Sequence, residues 1–230
     1  MNIKIHSIFS SIDGEVNSFG QGTFTTFIRF AGCDFAGHDA HCSYCDTSYA
    51  WGEDSALDMG VDEIVEKIIE TGCRKVTITG GEPRRQYNEL HYLVNALKDK
   101  GFFISLETNG SYSMDVRGSY LNRIDCIVMD WKLSNSGVSK FMKYTNFLDL
   151  REYDFIKFVV DEDTINEAVK VKMHLQNLGC KARFAFSPLW GKVNPEIVVA
   201  TLYELGQVDA VFNLQIHKVV WPNIGFGEEH

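Results

Sequence analysis

The chain has 230 residues, 45% hydrophobic and 23% charged, which is enough apolar material for a single domain spanning 1–230. Its 31 acidic residues against 22 basic ones leave a formal charge of -9, which excludes a general nucleic-acid or acidic-membrane surface, because binding a polyanion needs a basic footprint. No stretch approaches the roughly eighteen apolar residues of a membrane span, and Met1-Asn-Ile-Lys-Ile-His6 lacks the charged start and apolar run of a leader, so a cytoplasmic protein with a small-molecule ligand is expected.

Phe24-Thr-Thr-Phe-Ile-Arg-Phe30 is β-branched and aromatic enough to be the first strand, and it leads directly into Cys33-Asp-Phe-Ala-Gly-His-Asp-Ala-His-Cys42-Ser-Tyr-Cys45-Asp46-Thr47. Val61, Ile64, Val65, Ile68 and Ile69 then fall on one helical stripe closed by Gly72, followed by a strand at Lys75–Thr79. Leu90, Leu93, Val94 and Leu97 give the next helix, and Phe102–Leu106 the next strand. Further strands are expected at Cys126–Met129, Phe155–Val160, Ala182–Phe186 and Val211–Ile216, with helical stripes at Ile165, Ala168, Val169 and Met173 and at Ile197, Ala200, Thr201 and Leu205. Repeated strand-helix units mean an α/β fold with a mainly parallel sheet whose sites lie at the C-terminal strand ends. The pattern does not separate a partial barrel from an open sheet.

Three thiols within one loop of an otherwise cysteine-poor chain need a common task. Thiolates are the ligands of iron-sulfur clusters, and three of them on a four-iron cube would leave one iron open to a substrate or cofactor. A zinc site closed by His38 or His41 is the alternative; a disulfide reading is weaker, since three is an odd number and nothing points to an oxidising compartment. Cys73, Cys126 and Cys180 stand alone and are expected to be small hydrophobes. At the following strand ends lie Gly80-Gly-Glu-Pro83, Glu107-Thr-Asn-Gly110, Asp130-Trp-Lys132, Ser187-Pro188 and Gln215-Ile-His217, all expected on one rim. Gly80 and Gly81 remove side chains where the backbone would approach a ligand, and Glu82 offers an acceptor beside them.

Cys42-Ser-Tyr44-Cys45 followed one strand later by Gly-Gly-Glu-Pro resembles the radical S-adenosylmethionine (SAM) superfamily. Ser11-Ile-Asp-Gly-Glu15, Phe27-Ile-Arg29-Phe-Ala-Gly-Cys33, Cys45-Asp-Thr47, Thr77–Pro83, Leu106-Glu-Thr-Asn109 and Leu214-Gln-Ile-His-Lys218 narrow the resemblance, over essentially the full length, to the 7-carboxy-7-deazaguanine synthase family. The resemblance implies a partial (β/α) barrel and the ring contraction of 6-carboxy-5,6,7,8-tetrahydropterin to 7-carboxy-7-deazaguanine, with loss of ammonia, on the path to queuosine and other deazapurines. It also implies SAM used as a recycled cofactor, a [4Fe-4S] cluster, Mg²⁺, a flavodoxin-like electron donor and a homodimer.

By the same resemblance, Cys33, Cys42 and Cys45 would hold the cluster in a modified loop at 33–47, and Thr47 would ligate Mg²⁺. Tyr44, Asp46, Gly80, Gly81, Glu82, Asp130, Lys132 and Ser187 would surround the cofactors, with Asp46 also supporting the metal. Ile12, Asp13, Gly14, Glu15, Arg29, Thr79 and His217 would surround the substrate. Arg29 is independently informative, because a guanidinium in an apolar strand is costly to bury without a partner and its fork suits a carboxylate. The chain departs from the family's pattern at several points. Eight residues separate Cys33 from Cys42 where three are usual in the superfamily, Asp13 stands for the usual glutamine, Val16 for a glycine, and Asp130-Trp131 for Ser-Pro. An activating enzyme that makes a glycyl radical on a protein, or a zinc-stabilised binding module, are the other function classes.

Overall fold

The computed structural model describes residues 1–37 and 41–222; His38 lies outside them. Strands β1 (Asn2–Ile12), β2 (Phe24–Phe30), β3 (Leu57–Gly60), β4 (Lys75–Gly80), β5 (Phe103–Thr108), β6 (Cys126–Trp131), β7 (Phe155–Val160), β8 (Arg183–Pro188) and β9 (Val211–Phe212) make one sheet. Helices α1 (Val61–Glu70), α2 (Tyr87–Asp99), α3 (Ile165–Asn177), α4 (Pro195–Glu204) and α5 (Ile216–Val220) complete the regular elements. The strand order β3-β1-β2-β4-β5-β6-β7-β8-β9 does not close on itself, and every pairing from β2 to β9 is parallel. This is the expected partial barrel.

The alternation of side chains along each strand sorts the sheet into two faces. Ile28, Phe30, Val76, Ile78, Ile104, Leu106, Ile127, Met129, Ile156, Phe158, Phe184 and Phe186 belong to one buried core with Ile64, Ile68, Leu90, Leu93, Val94 and Leu97 of the helices. The intervening residues face inward. Near the strand starts these are apolar, with Cys126, Val128, Phe155 and Ala185 packed around Val16. Toward the strand ends they become Arg29, Thr79, Glu107, Asp130 and Lys157, which line an open cavity.

Several expectations are corrected. Phe24–Phe30 is the second strand: β1 precedes it and runs antiparallel to both β2 and β3. Its period-two burial of Ile3 and Ile5 was legible, but a bulge between Ile5 and Ser7 breaks the alternation. Ile69 is 51% exposed, because it lies roughly 80° round α1 from Val61, at the margin of the stripe. Met173 is likewise exposed on α3. On α4 the buried pair is Val198 and Leu202, and Ile197 and Leu205 are exposed. That helix is apolar on several sides, so periodicity could not choose its face. Finally, the strand expected over Val211–Ile216 ends at Phe212, and His217 sits on the short helix α5.

Candidate active site

The cavity at the C-terminal ends of the strands has a volume of about 770 Å³, and its walls include Cys33, Cys42 and Cys45. The cysteine loop is clipped to its surroundings by backbone hydrogen bonds from Cys33 N–H to Trp51 O (3.0 Å), Gly32 N–H to Ala50 O (2.9 Å) and Ser43 N–H to Ser136 O (2.9 Å). The Trp51 indole N–H donates to Cys45 Sγ at 3.2 Å, and Thr47 Oγ1 lies 3.6 Å from the same sulfur. Burial pushes the Cys33 thiol up to about 11, with Asp34 and Glu82 adding to the effect, and burial raises Cys42 also. All six cysteines are free thiols. Cys126 is fully buried and Cys73 and Cys180 are half-buried, all three away from the cavity.

Of the expected cofactor residues, Tyr44, Asp46, Gly80, Gly81, Asp130 and Lys132 line this cavity. Lys132 Nζ donates to Asp130 Oδ2 at 2.6 Å and lies 5.7 Å from the centre of the Tyr44 ring. Burial opposes the charge on both members of the pair; each nevertheless holds the other ionised, so Asp130 stays below the usual carboxylate range and Lys132 well above the usual amine range. The Tyr44 hydroxyl is buried with no hydrogen-bond partner among the described residues. Asp46 Oδ2 accepts from Lys218 Nζ at 2.8 Å, which outweighs the effect of burial and lowers its pKa. Ser187 is fully buried on β8, off the cavity wall, and its hydroxyl also lacks a partner among the described residues.

Two of the expected cofactor features also have structural roles. A Cβ on Gly80 would meet Phe30 O at 2.2 Å and one on Gly81 would meet Gly32 O at 2.2 Å, so both glycines are required first by the neighbouring backbone of the β2 end. Gly81→Ala is therefore expected to cost at least about 2 kcal/mol, because backbone atoms cannot yield as a side chain can; denaturant unfolding of the apoprotein measures it. Glu82 is fully buried and is not part of the cavity wall. Its carboxylate accepts from Arg84 N–H (2.9 Å), Asn109 N–H (2.7 Å) and Thr108 Oγ1 (2.9 Å), bracing the end of β4 against the end of β5.

Burial raises the Glu82 carboxyl from its ordinary 4.5 to about 7 despite those donors. Between these two values the folded protein keeps a proton that the unfolded chain releases, so this group makes stability fall as pH rises from 4.5 to about 7. Glu107, also raised to about 7 by burial, acts in the same sense. Glu82→Gln is expected to remove its share of that slope in a series of thermal unfolding curves across this range.

The expected substrate residues divide more sharply. Ile12, Gly14, Glu15, Arg29, Thr79 and His217 line the cavity; Asp13 does not. Arg29 Cζ lies over the Phe9 ring at 5.7 Å and over the Tyr49 ring at 5.6 Å from their centres. Thr79 Oγ1 donates to Glu107 Oε2 at 2.8 Å. Glu15 accepts from Gln215 Nε2 at 2.6 Å and from Asn213 Nδ2, with Lys157 Nζ 3.4 Å away. Burial alone would raise Glu15, but Lys157, Gln215, His217 and Asn213 together hold it below its ordinary value. His217 reaches the cavity from α5, where it packs so tightly that a Cβ on Gly14 would lie 2.0 Å from its Nδ1. The Asp13 carboxylate instead faces Lys75 and Thr77 below the cavity floor.

Residues 27–124 match the Radical SAM superfamily. The chain is 36% identical over 228 residues to the 7-carboxy-7-deazaguanine synthase of Clostridium acetobutylicum, covering 97% of this chain and 98% of that one. The chain belongs to the 7-carboxy-7-deazaguanine synthase family. The 7-carboxy-7-deazaguanine synthase of Methanospirillum hungatei is 35% identical over 219 residues, covering 95% of this chain and 85% of that one. In the crystal structure of QueE from Escherichia coli the same fold recurs, with a TM-score of 0.65 at 20% identity over 93% of this chain and 94% of that one.

Membership of this radical SAM family implies SAM and a [4Fe-4S] cluster. The residues fit the cluster: three soft thiols share one cavity wall, none is tied up in a disulfide, and one already accepts an indole N–H of the kind that tunes cluster sulfurs. Of the two histidines of the zinc alternative, His38 lies outside the described residues and His41 stacks on Trp51 at 4.6 Å.

Sequence reasoning missed Lys157, Glu107, Asn213, Gln215 and Trp51 as individual site residues. Lys157 had a usable signal: a lysine central in Phe-Ile-Lys-Phe-Val-Val poses the same burial problem as Arg29. Lys157 Nζ lies 3.3 Å from Asp130 Oδ1 as well as 3.4 Å from Glu15 Oε2, so it joins the two ends of the cavity.

Proposed function

We propose that the protein is a carbon-nitrogen lyase that contracts the ring of 6-carboxy-5,6,7,8-tetrahydropterin to 7-carboxy-7-deazaguanine with loss of ammonia. The observation that carries this reading is the convergence, in one cavity, of the three-cysteine loop and the Gly80-Gly81 edge with the Arg29, Glu15 and Lys157 group. The charges of Arg29, Glu15 and Lys157 in that interior favour a small charged substrate over a segment of a protein partner.

In this reading Cys33, Cys42 and Cys45 hold the cluster, which together with SAM supplies the one-electron chemistry. Trp51 stabilises charge on Cys45 through its N–H. Tyr44, Lys132 and Asp130, with the Gly80–Gly81 backbone, form the SAM side of the cavity. Ser187, whose hydroxyl has no partner among the described residues, belongs to the same side from behind its wall. Arg29 receives the substrate carboxylate as a fork, backed by the Phe9 and Tyr49 rings. Glu15 accepts N–H groups of the aminopyrimidinone edge through lone pairs not used by Asn213, Gln215 and Lys157. Thr79, Ile12, Gly14 and His217 close around the ring, and α5 helps exclude water. Glu107, raised toward neutrality, can hold a proton within reach of Thr79.

The same proposal includes Mg²⁺ on Thr47, with Asp46 in support: hard oxygen donors that the substrate carboxylate and waters would complete. It also includes a single domain over 1–230, a flavodoxin-like electron donor, a homodimer and a cytoplasmic setting; no helix among the described residues is long and apolar enough to cross a membrane. Anaerobic incubation of the reconstituted protein with SAM, reductant and either 6-carboxytetrahydropterin or the same pterin without its carboxylate tests the reading. Ammonia and 7-carboxy-7-deazaguanine are expected from the first only. Equal turnover of both would reject the role of Arg29, and turnover of neither would reject the substrate.

A further inference from the structure

Lys75, Thr77 and Thr79 share the inward face of β4 in successive layers. The top layer, Thr79, belongs to the cavity; the bottom layer, Lys75, has a side chain 0% exposed, against 2% for its ion-pair partner Asp13. Asp13 uses both carboxylate oxygens within this floor. Oδ2 receives the Lys75 ammonium and the Thr77 hydroxyl (3.0 Å), and Oδ1 accepts the backbone N–H of Glu15 at 3.1 Å. Its own backbone is fixed on both sides, by Asp13 N–H to Thr23 O at 2.8 Å and Gly22 N–H to Asp13 O at 2.7 Å. Thr77 is steadied in turn by Thr25, 3.0 Å away.

We propose that Asp13 and Lys75 are a positioning pair: a sealed ion pair beneath the cavity that pins the turn carrying Glu15 and so sets where the Glu15 carboxylate meets the substrate. The inference rests on the pterin reading above and replaces the expectation that Asp13 itself accepts substrate N–H groups. Two arguments favour positioning over plain stability. A buried ion pair gains little over an apolar pair of the same shape, because desolvation offsets the attraction. And the second oxygen of Asp13 is spent on the one backbone N–H that fixes Glu15, whose side chain is separately held by Asn213, Gln215 and Lys157. Glu15 is thus held from below through its backbone and from above through its carboxylate.

The test compares two double variants. Asp13→Leu with Lys75→Met removes the charges and the acceptor for Glu15 N–H. Asp13→Asn with Lys75→Met removes the charges but keeps an amide oxygen where Oδ1 now lies. The first is expected to raise KM for the pterin about ten-fold, the effect of losing one buried hydrogen bond, with a smaller change in kcat and none in SAM affinity. The second is expected to recover most of that loss. A KM within two-fold of wild type in a folded Leu/Met variant would overturn the inference, as would equal losses in both variants. If the Leu/Met variant does not fold, Asp13→Asn alone carries the test: the unpaired Lys75 should compete for the turn and raise KM, and an unchanged KM overturns the pairing. Wild-type turnover is the control that separates the claims. Without it the pterin reading itself fails; with it, an unmoved KM defeats only the positioning role.

Discussion

Replacing Cys33, Cys42 or Cys45 by Ala reduces SAM cleavage to background and lowers bound iron and sulfide, whereas Cys73→Ala, Cys126→Ala and Cys180→Ala keep both. Only the first three line the cavity. A three-thiol set has no redundancy, since each sulfur would hold a different iron and no fourth cysteine faces the cavity. Cys126 provides the stringent control. It is fully buried and accepts Ser18 N–H at 3.4 Å, so its loss should cost stability of order 1 kcal/mol while leaving the cluster in place. Iron, sulfide and zinc analysis of the six variants reads the outcome directly; stoichiometric zinc without iron in the wild type would contradict the assignment.

Arg29→Ala and Thr47→Ala should each lower kcat/KM by about ten- to a hundred-fold, the value of one charge-assisted contact or one metal ligand. Together they should lose less than the product of the two factors. Both residues line the same cavity, and in the proposed reading both act on one substrate carboxylate, Arg29 directly and Thr47 through Mg²⁺. Added Mg²⁺ should stimulate the wild type and do less for Thr47→Ala. An Arg29 that merely packed against Phe9 and Tyr49 would behave differently: its loss would lower the melting temperature, and the two effects would simply multiply. Arg29→Lys sharpens the distinction, because it keeps the charge and removes the fork.

Most of the fold was legible because its strands are buried on both faces and its helices carry narrow apolar stripes. Phe24–Phe30 came out with the right bounds. The failures have local causes. β1 mixes alternation with a bulge, and α4 is apolar on several sides. The chain past Phe212 leaves the sheet where the Asn213 side chain is drawn to Glu15, a contact 198 residues apart in sequence that no local pattern encodes. The same limit applied to the site. The cysteine loop announces itself by residue type and spacing, and Arg29 by its apolar neighbours. Motif matching gave Asp13 and Glu82 to ligands and could not show that each carboxylate also serves partners brought in from elsewhere in the sheet: Lys75 and Thr77 for the first, Thr108 and Asn109 for the second. A carboxylate in a motif says that an acceptor is needed; which donor it serves depends on the tertiary structure.

One measurement bears on all of this at once. Reconstituted wild-type protein is given excess 6-carboxytetrahydropterin, reductant and a limiting amount of SAM, and 7-carboxy-7-deazaguanine and 5'-deoxyadenosine are followed by mass. More deazaguanine than the SAM supplied is expected, with SAM largely recovered, if the cofactor is regenerated in each turnover as proposed. Accumulation of 5'-deoxyadenosine with no 7-carboxy-7-deazaguanine, with or without Mg²⁺, would contradict the proposed function.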